Sequence, residues 1–237
     1  MITWTRRPWV WLLGVLNVGL VVAVAAQAGA DEGHISGAAL AAGALAYSLM
    51  ATNLLLALRL PVLERLFGSL DRLNVVHRFV GTAIVPVVVV HMVLVPVASL
   101  VDRGRGLLDD PGPAIPLGVV GALIVLASVA LAMNPRIPYH RWRRFHMAVA
   151  GGFVLLTVHF IVGSAEWMSL ASPAGVLLFM FMAIGLLSIA VRLVVRRRAG
   201  LAYRITAVVP RERGWRSSWS RLVSVPWLRT GPGSSSF

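Results

Sequence analysis

The sequence predicts an all-α fold, a polytopic six-helix transmembrane bundle with both termini in the cytoplasm. Composition is the first observation: 58% of the 237 residues are apolar and 13% charged, against about a quarter charged in soluble chains, and mean hydropathy is +0.81. The second is a set of six uncharged apolar stretches, each long enough to cross a bilayer, which takes about 20 residues. The third is the placement of charge. The 22 basic residues outnumber 9 acidic ones for a net +13, and all 22 are Arg. A basic solvated domain would indicate a nucleic-acid partner, but these arginines lie between and after the apolar stretches, so no nucleic acid is expected and membrane lipid is. The absence of Cys excludes disulfides, thiolate-held iron–sulfur clusters, zinc ribbons and thiol nucleophiles. Metal chemistry is left to His, Met and carboxylates.

In chain order the spans run roughly from Pro8 to Gln27, Ile35 to Leu58, Leu73 to Leu100, Ile115 to Met133, Phe145 to Gly163 and Pro173 to Val195. The first also looks like a secretory signal, with Arg6-Arg7 before it and small residues at Ala26, Ala28 and Ala30. Its apolar run exceeds the roughly 7 to 15 residues of a signal core, and further spans follow at once, so a retained helix is expected. Pro86 and Pro96 fall inside the third span, where a lost hydrogen bond is tolerated in a buried helix. The fifth contains Gly151 and Gly152, expected to permit a kink or a local change of pitch. Residues 1–195 thus form the membrane domain. Residues 196–237 are a basic, Trp-containing cytoplasmic tail, expected to be poorly ordered and to rest Trp215, Trp219 and Trp227 on the anionic leaflet; Ala202 to Val209 alternates like one strand.

Orientation follows from the positive-inside rule. With both ends inside, 20 of the 22 arginines are cytoplasmic, and Arg103 and Arg105 alone face outward. The expected location is therefore the cell (plasma) membrane, multi-pass.

Of six histidines, His34 falls in an outer loop and His140 in a basic inner loop, whereas His77 and His91 lie in the third span and His146 and His159 in the fifth. Ionisable groups are rare within a bilayer and face a bundle interior or a cofactor. One such His can be a hydrogen-bonded packing residue; two pairs are harder to explain so. Fourteen residues separate His77 from His91, about 21 Å of helix and about 40° short of four full turns, so both imidazoles share one face. Both spans run from inside to outside, which sets His77 level with His146 and His91 level with His159. The 13-residue step from His146 to His159 falls about 140° short of four turns, a misalignment that an ideal helix does not remove.

Paired neutral imidazoles at two depths suit two b-type haems, each iron held by two axial ligands. Zinc suits them less, because a structural site needs four converging ligands. Haem propionates need cationic partners. Arg78, directly after His77, and Arg144, two residues before His146, are the inner candidates; Arg103, Arg105 and Trp167 are available outside.

Six spans carrying His-Arg-x12-His in the third and His-x12-His in the fifth resemble the ferric reductase-like transmembrane domain shared by ferric reductases, NADPH oxidases and the haem-binding membrane subunit of a periplasmic methionine sulfoxide reductase system. The resemblance covers roughly residues 8 to 195. It implies an inner haem on His77 and His146, an outer haem on His91 and His159, spacings of 14 and 13 as the rule, and electron flow from cytoplasm to exterior. The flavin and nicotinamide domains that follow in the family's oxidases have no counterpart in the tail, where Gly214, Gly231 and Gly233 are too scattered for a phosphate loop, so no flavin or NAD(P) site is expected in this chain.

The expected function is di-haem transmembrane electron transfer, as the membrane component of an oxidoreductase with no catalytic residue of its own assigned. Its donor would be a cytoplasmic flavin reductase or membrane quinol. Its outer acceptor would be ferric iron, oxygen or a periplasmic redox protein. The alternative is a non-enzymatic transporter or scaffold with packing histidines; transporters tend to show matched broken helices in two halves. A quinol-linked di-haem cytochrome of another family is a third reading.

Overall fold

The structure, a computed structural model, describes residues 8–104, 106, 112–164, 169 and 171–198; the tail beyond Arg198, with the strand-like segment Ala202 to Val209, and Arg105 and Trp167 lie outside them. Among the described residues every element is helical: α1 (Pro8–Glu32), α2 (His34–Leu56), α3 (Pro61–Phe67), α4 (Leu70–Arg103), α5 (Ala114–Met133), α6 (Tyr139–His146), α7 (Ala148–Ser164) and α8 (Pro173–Arg198). Six helical stretches are long and apolar enough to span a membrane, the fifth being α6 and α7 together. Many large apolar side chains face outward, among them Val15, Val22, Phe79, Leu100 and Leu187. A water-soluble surface rarely carries so much; a lipid-facing one must. The chain is a multi-pass membrane protein.

α2 is the central helix. Some 56% of its apolar stretch is buried, against 17% for α1, because it is built from small residues that admit close neighbours. At Gly37 an added Cβ would fall 2.7 Å from the Cα of Gly29 on α1. α1, α4 and α8 all pack on α2, while α7 packs on α5. The bundle therefore contains two antiparallel hairpins, α2 with α4 and α5 with α7. Met50, Ile84, Val125, Phe153, Leu178 and Phe181 fill the space between them. Tyr47 stacks on Phe153 at 4.9 Å and on Phe160 at 5.6 Å, and its hydroxyl meets the Thr157 hydroxyl at 2.9 Å. The Ser48 hydroxyl donates to Asn17 Oδ1 at 2.6 Å, so these polar groups of the apolar interior are satisfied pairwise.

The connections explain two helices that the apolar pattern does not announce. After α2, Arg59 adopts φ 52° and Pro61 begins α3; Gly68 ends it at φ 94°. Ser69 then caps α4, its Oγ accepting from the Arg72 amide at 3.3 Å, which satisfies one free donor of the first turn. Leu63 and Phe67 of α3 join Leu56 and Leu73 in a small apolar cluster. α6 follows a turn in which Asn134 Oδ1 accepts from the Arg136 amide. His140, expected in a loop, is an exposed residue of α6, and His34, likewise expected in a loop, is the exposed first residue of α2.

α4 runs unbroken through Pro86 and Pro96. Its 34 residues amount to about 51 Å, longer than a hydrocarbon core of about 30 Å. At its far end Asp102 Oδ2 accepts from the Ser36 amide at 2.6 Å, tying α4 to the start of α2. Gly33, at φ 105°, lies under that carboxylate, where a Cβ would fall 2.6 Å from Asp102 Cγ.

Candidate functional site: two histidine pairs

Antiparallel alternation of the helices gathers Arg59, Arg65, Arg72, Arg78, Arg136, Arg141, Arg143, Arg144 and Arg192 at one end of the bundle, with His77 and His146. His91 and His159 lie toward the other end. The structure brings the four together in the expected pairs. The rings of His77 and His146 have centroids 6.2 Å apart and planes at 89°. Those of His91 and His159 are 6.3 Å apart at 75°. One member of each pair comes from each hairpin.

Three of the four rings are anchored through Nδ1 to a main-chain carbonyl of the helix on which their own helix packs. His91 Nδ1 lies 2.8 Å from Ala39 O, His159 Nδ1 2.8 Å from Ala114 O, and His77 Nδ1 3.2 Å from Asn53 O. A carbonyl only accepts, so Nδ1 carries the proton and donates, and a neutral ring then keeps its lone pair on Nε2. That is the tautomer a metal-ligating imidazole needs, with its other nitrogen held by an outer-shell partner. His146 differs: its Nδ1 is buried and has no hydrogen-bond partner. Its ring meets Trp142 edge-on at 5.4 Å.

Gly151 and Gly152 lie inside α7, which runs from Ala148 to Ser164; the break in helix along the 13-residue step from His146 to His159 lies ahead of them. Helix α6 ends at His146 and α7 begins at Ala148, with Met147 between them. There the Met147 amide donates to Arg143 O and the Ala150 amide to Met147 O, three residues back, and both rings meet partners on the one helix α4. Gly152 serves helix packing instead, since a Cβ there would fall 3.1 Å from Ile124 and 3.3 Å from Val125 on α5. Gly151 faces open space.

Arg78 and Arg144 are exposed at the arginine-rich end. A residue missed by sequence reasoning is Arg192 of α8. Its Nη1 donates to Ala57 O at 3.1 Å and its Nη2 contacts Met147 Sδ at 3.9 Å, so it bridges the end of α2 and the junction beside His146. One signal could have found it: Arg192 interrupts the apolar run Ala190-Val191-Arg192-Leu193, ahead of the Arg196–Arg198 cluster.

Among the described residues no three of His, Cys, Asp and Glu converge as a metal cluster would require. The histidines meet only in twos, and a group that uses them must bring its remaining ligands itself. Residues 42–157 match the family model described as ferric reductase like transmembrane component. The matched segment holds His77, His91 and His146 and stops two residues short of His159. No curated protein matches the chain.

Proposed function

From the premise that this chain carries a ferric reductase-like transmembrane domain, which points to transmembrane electron transfer, we propose that it is a di-haem b-type conduit, the membrane component of an oxidoreductase. The observation that carries the reading is the pair of centroid separations, 6.2 and 6.3 Å. Rings at that separation would leave room for one metal between facing nitrogens, so His77 with His146 and His91 with His159 would hold it. A tetrapyrrole would bring its own nitrogen ligands, so two histidines per level would suffice.

When bound, the haems supply one-electron carriers at two depths, about 21 Å apart along α4. The chain's own residues do the rest. The carbonyls of Ala39, Ala114 and Asn53 fix ring orientation and leave Nε2 free. Packing of α4 on α2 and of α7 on α5 sets the height of each ring on its hairpin, and contacts between the hairpins, such as Tyr47 with Phe153 and Thr157, support the gap between facing rings. The apolar bundle excludes water from both levels. Arg78, Arg144 and Arg192 supply positive charge for propionates at the His77–His146 level.

By the positive-inside rule that level is cytoplasmic and the His91–His159 level faces outward, so electrons enter from a cytoplasmic flavoprotein or membrane quinol. They leave to an outer acceptor: ferric iron, oxygen or a periplasmic redox protein. The bilayer is the cell membrane, with both termini in the cytoplasm.

Purified protein is expected to show a reduced b-type spectrum equivalent to about two haems per chain. His91→Ala is expected to remove about half of it, and His77→Ala the other half. Protein that carries no haem after purification would reduce the pairs to edge-on ring contacts, which also favour centroids about 4.5 to 7 Å apart, and the proposal would fail.

A further inference from the structure

Gly43 of α2 and Gly118 of α5 have no assigned role, yet both lie directly beneath an imidazole. A Cβ at Gly43 would fall 2.8 Å from both Cε1 and Nδ1 of His91, and one at Gly118 would fall 2.7 Å from the same two atoms of His159. Real Cβ atoms essentially never approach heavy atoms so closely. Neither ring can swing aside freely, because its Nδ1 is bonded at 2.8 Å to Ala39 O or Ala114 O. In both cases the glycine stands four residues after the carbonyl, hence on the same helix face. The two hairpins have built the same seat: a carbonyl that takes the proton of Nδ1, and one turn later a bare Cα on which the ring lies.

The His77–His146 level has no such seat. The residue four after Asn53 is Ala57, the His77 contact is longer at 3.2 Å, and His146 Nδ1 has no partner.

We infer that Gly43 and Gly118 are positioning residues that seat the two axial imidazoles of the His91–His159 level and of that level alone. The inference rests on the di-haem reading, but its central contact is between glycine and ring. Substituting alanine forces the imidazole off its carbonyl, which changes ring orientation and weakens a ligand's outer-shell support, an effect of about 10- to 100-fold in metal affinity.

The test uses the full-length protein in detergent. The low-spin EPR signal and the midpoint potential lost in His91→Ala define one level, and those lost in His77→Ala define the other. Gly43→Ala and Gly118→Ala should each shift or abolish the first set and leave the second in place, while Gly151→Ala, which meets open space, should change neither. A second arm measures thermal unfolding of Gly43→Ala with and without His91→Ala, since residues in contact show coupling. The glycine substitution should be costly beside the imidazole and nearly free once the ring is gone. Equal loss of both haem signals, unchanged signals, or a Gly43→Ala cost that persists without His91 would overturn the inference. If the wild-type protein carries no haem, the functional reading fails, and the second arm still decides whether the seat exists.

Discussion

The two histidine levels share a ring separation and differ in almost everything that holds it. At His91 and His159 both Nδ1 atoms donate to carbonyls at 2.8 Å and both rings rest on glycine. At His77 and His146 one bond is 3.2 Å long and the other absent, and helix α6 gives way to α7 at Met147. The His91–His159 level is preset by continuous helix, whereas the other is assembled where helices end and guanidinium groups gather. A hydrogen bond to Nδ1 makes an imidazole more basic and favours the ferric state, so the two levels should differ in potential, with the His91–His159 level the more negative.

Ligand removal separates the levels most strongly. His91→Ala and His77→Ala should each cost about half of the bound haem, and redox titration of the two variants assigns a potential to each level. A more negative potential in the haem that survives His91→Ala would contradict the ordering above. Overpacking the hairpin itself should come next. Gly121→Ala places a Cβ 2.8 Å from Leu156 and 3.3 Å from Gly152 O, so it should push α7 away from α5, lower thermal stability by about 1–3 kcal/mol and diminish both levels together.

Arg192→Gln should have a smaller and one-sided effect. It frees Ala57 O and Met147, and the spectral signal assigned to His77–His146 should broaden or shift while the other stays. Equal broadening of both would mean that Arg192 acts on the bundle as a whole. Smallest is Tyr47→Phe, which removes a 2.9 Å contact with Thr157 but keeps the stack on Phe153. A loss of about 0.6 kcal/mol in unfolding, without change at either level, is expected.

The spans were legible because an uncharged run of about 20 residues has few alternatives, and the match of residues 42–157 to the ferric reductase-like family agrees with the spacing motifs. The pairing of the four histidines was legible from alternation of helix direction and the near-integral number of turns between His77 and His91. What was not legible depends on neighbours. α3 and α6 are only seven and eight residues long and are interrupted by charge, at Glu64 and Arg65 and at Arg141, Arg143 and Arg144, so the apolar pattern does not mark them. The junction at Met147 carries no Gly or Pro, and of the two glycines nearest to it Gly152 serves close approach to α5 while Gly151 meets open space. Arg192 is one arginine among many until α8 is placed beside the ends of α2 and α6.

The spacing of His77 and His91 has a counterpart on α2. Ala39 and Asn53, whose carbonyls receive the two rings, are themselves 14 residues apart, so the antiparallel helices carry matching graduations. Sliding one along the other by a single residue would break both bonds at once. The first hairpin is thus a gauge that fixes the height of two half-sites. The α5–α7 hairpin, tied at Ala114 to His159, by the Ser128 hydroxyl to Phe145 O and by the close approach of Gly121 to Leu156, must present its two rings at the same heights.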